Sequence, residues 1–169
     1  MIFDKHHRRT IRLPGYDYSQ SGSYYLTICV QNSERLLGDI QNGKMNLNEA
    51  GQMIESIWHE LPVFYSGVNL DSLQIMPDHL HGIIVLGHFS AEGQPQGVAP
   101  TLSFPDLVYR FKSLTTKRYA DGVRQNGWPP FTGRLWQRNY YEHIIRNQIE
   151  LEKIREYIRQ NPRNWDHDL

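Results

Sequence analysis

The order of strand-like and helix-like stretches in this 169-residue sequence predicts an α+β fold: an antiparallel sheet with helices on one face, plus a C-terminal helix, close to the ferredoxin-like βαββαβ plan. Three observations carry that expectation. Short runs rich in aromatic and β-branched residues alternate with longer segments whose apolar residues recur at helical spacing. An Asn42-Gly43 pair sits between two short apolar arms, the turn chemistry of a hairpin. There is no internal repeat and no low-complexity block, so the element order reads directly along the chain.

Residues 23–32, SYYLTICVQN, read as the first strand, and LLGDIQNGKMNLN as the hairpin. In NEAGQMIESIWHELPVFY, Met53, Ile54, Ile57, Trp58 and Leu61 form a helical stripe whose end Pro62 marks. Residues 68–87 return to strand character. Residues 88–101, rich in Gly, Pro and small side chains, read as a long surface loop. A second helix opens at Ser103 as cap with Asp106 three residues on; Leu107, Phe111, Leu114 and Tyr119 face inward while Arg110, Lys112, Lys117 and Arg118 stay wet. NGWPPFTG is a turn-prone connection to RLWQRNYYEHIIRN, an aromatic strand. Ile149, Leu151, Ile154, Tyr157 and Ile158 line a last helix, ended by Pro162. Residues 1–15 read as a basic arm (Lys5 to Arg9 is KHHRR) and 16–169 as a single domain.

Zero net charge hides a segregation. Residues 107–146 carry eight basic residues against two acidic ones, whereas residues 34–78 carry seven acids against Arg35 and Lys44. A local basic field is what a polyanion needs, because counterion release depends on the contacting face and not on total charge; a mixed solvated surface explains the same counts. A lone cysteine, Cys29, excludes an internal disulfide framework and fits a reduced compartment, so the expected location is the cytoplasm. No apolar stretch approaches the roughly 20 residues of a membrane span, so no membrane partner is expected.

The stretch that carries chemistry is MPDHLHGIIVL, Met76 to Leu86. Side chains alternate along a strand, so His79 and His81 point to one face and Leu80 to the other, and two imidazoles on one side can share a divalent cation. Local hydrogen bonding at a sheet edge is the competing explanation. Two histidines under-coordinate a metal. On the last helix Tyr157 and Asn161 are four residues apart and share a face, offering an amide oxygen and a hydroxyl if that face packs over the histidines. Taken alone, this helix reads as an amphipathic one with a core tyrosine and a pre-proline breaker.

MPDHLHGIIVL resembles the HUH signature of single-tyrosine transposases, and YIRQNP resembles their nucleophile helix, in which Gln or Asn follows the tyrosine four positions later. With YDYSQSGSYYLTICVQN, FKSLTTKRY, RLWQRNYYEHIIRN and YIRQNPRNW, the chain from about Tyr16 to Trp165 is similar to bacterial REP-associated tyrosine transposases. The resemblance implies an RRM-like fold acting on single-stranded DNA beside hairpins, with His79, His81 and Asn161 as ligands of Mg²⁺ or Mn²⁺ and Tyr157 as nucleophile. The insertion-sequence branch usually has Gln where this chain has Asn161. A tyrosine hydroxyl, with a reference pKa of about 10, is a poor nucleophile at neutral pH; a cation polarising the phosphate helps it.

Lys112, Lys117, Arg118, Arg134 and Arg138 are the candidate DNA-binding residues. Tyr140 and Tyr141 are rival phenols, as alternate aromatics of a strand or as a base-stacking surface with Trp136, Gln137, Arg138 and His143. Competing functions are a non-catalytic RRM-like hairpin-binding module, and a metal-dependent nuclease whose product water releases. Both monomer and homodimer are compatible with the sequence.

Overall fold

The computed structural model describes residues 14–18, 21–87 and 102–165. Its strands are β1 (Gly22–Cys29), β2 (Gly38–Gln41), β3 (Lys44–Leu47), β4 (Val68–Ile75), β5 (His79–Leu86) and β6 (Tyr141–Ile145), and its helices α1 (Glu49–Phe64), α2 (Phe104–Asn126) and α3 (Gln148–Asn164). The basic arm, apart from Pro14 and Gly15, and the loop 88–101 lie outside the described residues.

The main sheet runs β4-β5-β1-β6, every pairing antiparallel. Setting aside the separate β2–β3 hairpin, this is the βαββαβ order expected from the sequence. The hairpin turns at Asn42-Gly43, both residues at positive φ, as a type I′ geometry demands.

Alternation along β5 divides the molecule into two layers. Leu80 and Ile84 join Tyr24, Leu26 and Ile28 of β1 in the main core, against Trp58 of α1 and Phe111 of α2. Between Leu80 and Ile84 lies Gly82, where a Cβ would run into the Trp58 indole; the bare backbone lets that ring lie flat against the strand. On the opposite face Tyr25, Ile83 and Ile145 pack with Ile154 and Ile158 of α3 in a second, smaller core. So, among the described residues, α1 and α2 share one face and α3 covers the other.

Local chemistry sets the helix ends. Asn48 caps α1, its Oδ1 accepting from Gly51 N at 2.9 Å. Ser103 caps α2 through the Asp106 amide, and Gly127 closes it in the left-handed region. Neither proline stops its helix at the expected residue. Pro62 lies inside α1, which continues to Phe64, and Pro162 lies inside α3, which continues to Asn164. Each proline gives up its bond to the carbonyl four residues back and crowds that carbonyl, but only two residues of helix lie beyond it, and Pro162 is buried.

Three strand expectations need correction. Residues 68–87 form two strands folded about Met76–Asp78. The first strand stops at Cys29, and of the stretch 134–147 only Tyr141–Ile145 is strand; Val30 and Trp136 form an isolated bridge between the two. Leu135 and Trp136 are instead held by burial in the main core. Among the described residues no helix is long and apolar enough to cross a membrane.

Candidate active site

On the α3 face, one row of paired residues crosses the sheet: Gln74 of β4, His81 of β5, Thr27 of β1 and Tyr141 of β6. His79 begins β5 and stands beside His81, the two Nε2 atoms 3.0 Å apart. Each outer ring nitrogen is anchored. His79 Nδ1 lies 2.5 Å from Asp78 Oδ1, so its N–H donates to the carboxylate and its Nε2 lone pair faces inward. His81 Nδ1 lies 2.9 Å from both Tyr25 Oη and Thr27 Oγ1.

This anchoring decides what the pair can hold. Hydroxyls both donate and accept, so Tyr25 and Thr27 tolerate either His81 tautomer. With His81 protonated on Nε2, the two imidazoles share that proton. With the proton on Nδ1, two lone pairs meet at 3.0 Å, an arrangement that calls for a cation. Burial, then the neighbouring His79, hold the His81 pKa well below its ordinary value, while a hydrogen bond to Asn161 opposes them. A neutral imidazole is the form that binds metal. Burial likewise raises Tyr25, keeping its phenol protonated.

A stability effect follows. Because the folded-state pKa of His81 lies below its unfolded value near 6.5, the unfolded chain takes up a proton first as the medium is acidified. The contribution is intact above that value and falls below it, by at most about 1.4 kcal/mol per pH unit. Urea midpoints should therefore drop between about pH 7.5 and about pH 5.5, and drop less in His81→Gln; equal drops in both proteins would show that other groups cause it.

Helix α3 supplies the remaining groups. Asn147 caps it through the Glu150 amide at 2.9 Å, and burial of Ile154, Ile158 and Pro162 fixes its rotation. That rotation brings Asn161 to His81 and sets the Tyr157 ring edge-on to His81, centroids 5.5 Å apart, with the tyrosine 38% exposed. A two-pronged ion pair holds the helix to the edge strand: Arg155 Nε and Nη2 donate to Asp71 Oδ1 and Oδ2 at 2.9 and 2.5 Å. Asp71 lies where the β4–β5 register slips between Leu70 and Leu73, and Arg155 keeps its carboxyl below the usual range.

Among the described residues no group of three or more His, Cys, Asp or Glu is placed to hold a metal ion; this set is two imidazoles and an amide. The anchored, inward-facing Nε2 atoms and the amide oxygen fit a divalent cation that takes its other ligands from phosphate and water.

The basic candidates stand apart. Lys117 and Arg118 are exposed on α2, in the layer opposite the histidines, and Arg134 and Arg138 are exposed on the segment leading to β6. Lys112 is not wet: its Nζ donates to the carbonyls of Gln137 and Arg138 at 2.7 and 3.2 Å, and burial, with Arg134 nearby, pushes it down to about 8. His143 bonds Glu150 at 2.6 Å. Tyr140 packs against the main core, whereas Tyr141 is 44% exposed and edge-on to Tyr25.

Sequence reasoning missed Asp78, Thr27, Tyr25 and the Asp71–Arg155 pair. Asp78 was visible as the neighbour of His79, and Tyr25 and Thr27 as alternate residues of one strand. The ion pair spans 84 positions, and no local pattern marks it.

A family described as IS200-like transposases matches residues 43–161 of this chain. A Haemophilus influenzae protein described as uncharacterized is 41% identical, the match covering 96% of this chain and 92% of that protein. A REP-associated tyrosine transposase bound to a REP hairpin superposes with a TM-score of 0.50 at 17% identity, over 94% of this chain and 72% of the other.

Proposed function

This chain belongs to the IS200-like transposases, and from that premise we propose that it cleaves and rejoins single-stranded DNA beside hairpins through a 5′-phosphotyrosine on Tyr157. The observation that carries the reading is the approach of the Tyr157 ring to the His81 imidazole within one chain. The hairpin substrate is carried over from the structural relative, a transposase bound to a REP hairpin.

His79, His81 and Asn161 would hold the divalent cation, Mg²⁺ or Mn²⁺, which supplies polarisation of the scissile phosphate when bound. Asp78 keeps the His79 ring turned inward, and Tyr25 with Thr27 does the same for His81. Tyr157 attacks phosphorus: the Tyr157 Oη–P bond forms, the P–O3′ bond breaks, and a proton passes to the departing oxygen to leave a free 3′-OH. The ester is exchanged and not hydrolysed, so a later 3′-OH can displace Tyr157 and rejoin DNA without ATP. Arg155, gripping Asp71, keeps the helix from drifting while the bond exchanges. Lys117, Arg118, Arg134 and Arg138 are the proposed hairpin contacts, with Lys112 ordering the Gln137–Arg138 backbone that carries one of them.

The test is to incubate the protein with 5′- and 3′-labelled hairpin-flanked oligonucleotides and Mn²⁺, then digest and sequence the covalent product. A 5′-linked nucleotide on the peptide containing Tyr157 is expected. Linkage to Tyr141, or turnover with no covalent species, would replace this mechanism.

A further inference from the structure

Against His79 stand two flat groups, the Trp165 indole and the Arg35 guanidinium, that the proposed chemistry does not use. The Trp165 indole lies nearly parallel to the His79 imidazole, centroids 6.0 Å apart and planes at 28°. The Arg35 guanidinium carbon lies over the indole, 5.3 Å from its centroid. The column therefore begins at the proposed ligand His79 and ends in an exposed arginine.

The backbone presents Arg35 there at a cost. Asn32 and Ser33, just before it, adopt positive φ of 58° and 53°, a conformation serine rarely takes. The segment is pinned on both sides to the turn before His79: Val30 N donates to the Asp78 carbonyl at 2.8 Å and Leu37 N to the Pro77 carbonyl at 3.1 Å. Arg35 forms no ion pair among the described residues, although Glu34 adjoins it. Its partner is an aromatic face.

We infer that Trp165 is a stacking platform for one base of a single-stranded nucleic acid, and that Arg35, displaced from the indole by that base, grips the adjoining phosphate. Relative magnitudes favour the exchange. An exposed cation–π contact contributes about 0.5–1 kcal/mol, whereas a base stacked on an aromatic side chain contributes about 1–3 kcal/mol. The freed guanidinium keeps its charge and gains a phosphate, whose oxygens match its donor fork better than a ring does. The strand is thereby laid past His79. Which strand occupies the platform during catalysis rests on the strand-transfer reading; the platform itself does not.

The experiment separates the two. A fluorescein-labelled oligothymidylate of about a dozen nucleotides is titrated with protein in low salt and EDTA, following anisotropy, and the unlabelled oligonucleotide is titrated against intrinsic tryptophan fluorescence. Wild-type protein should bind with quenching. Trp165→Phe should bind within about twofold but without the quench, since phenylalanine stacks and does not report. Trp165→Ala should weaken binding by about 5- to 100-fold, and Arg35→Ala should flatten its salt dependence. Thermal denaturation verifies that each variant is folded. Quenching that survives in Trp165→Phe, wild-type affinity in Trp165→Ala, or no binding by the wild type would each overturn the inference. Binding with the expected quench but no adduct on Tyr157 would leave it standing and remove the strand-transfer mechanism.

Discussion

Phenylalanine in place of Tyr157 should lower covalent attachment to DNA by more than about 1,000-fold, the scale on which loss of a covalent nucleophile acts. The substitution deletes one oxygen and keeps the ring that meets His81 edge-on. With the side chain 38% exposed, stability should change by no more than about 0.5 kcal/mol. Affinity for hairpin DNA should persist, because the proposed grip comes from Lys117, Arg118, Arg134 and Arg138. Denaturation and gel-shift measurements on the same preparation therefore isolate the chemistry. An undiminished adduct would transfer the role to Tyr141, which among the described residues is the other exposed phenol on this face of the sheet. If the wild type forms no adduct yet binds with a steep salt dependence, the RRM-like binding module is the better description.

Alanine at His81 should lower adduct formation by more than about 100-fold, because loss of a ligand exceeds the 10–100-fold that loss of a ligand's own partner costs. His81 is almost fully buried and bonds Tyr25 and Thr27, so the variant also takes one partner from each of these hydroxyls, which keep only their bond to each other. Each lost hydrogen bond costs about 0.5–1.5 kcal/mol, which confuses the result. His79→Ala resolves it: His79 is more accessible, and its main bond is to the neighbouring Asp78. Both variants should need more Mn²⁺ for half-maximal adduct than Asp78→Asn, which keeps both imidazoles. Wild-type metal dependence in His79→Ala would remove the pair from the chemistry.

The parts of this site that follow a local period could be read from the sequence, and the parts that depend on distant contacts could not. His-Leu-His has the strand period, and the structure sends Leu80 into the main core and both imidazoles the other way. Tyr157 and Asn161 have the helix period and share a face. The two-strand character of 68–87 was obscured because Pro77-Asp78 sits within an apolar run, although that dipeptide is ordinary turn chemistry. Lys112 reads as solvated from its place on an amphipathic helix; it is instead half-buried and tied down by carbonyls 25 and 26 residues away. The opposite placement of α3 from α1 and α2 follows from which of two apolar sheet faces each helix covers, and β1 offers both, through Tyr24 and Tyr25.

The Asp71–Arg155 grip has a consequence for mixtures. On the proposed mechanism, with α3 completing the site of the chain it is fastened to, diluting active protein with Tyr157→Phe protein should reduce product in simple proportion to the active fraction. Pairing two defective proteins, Tyr157→Phe with His79→Ala, should restore nothing. Recovery of cleavage in that pairing would mean that the helix is traded between subunits, and Arg155→Ala, by unfastening it, is the variant in which such trading should first be seen.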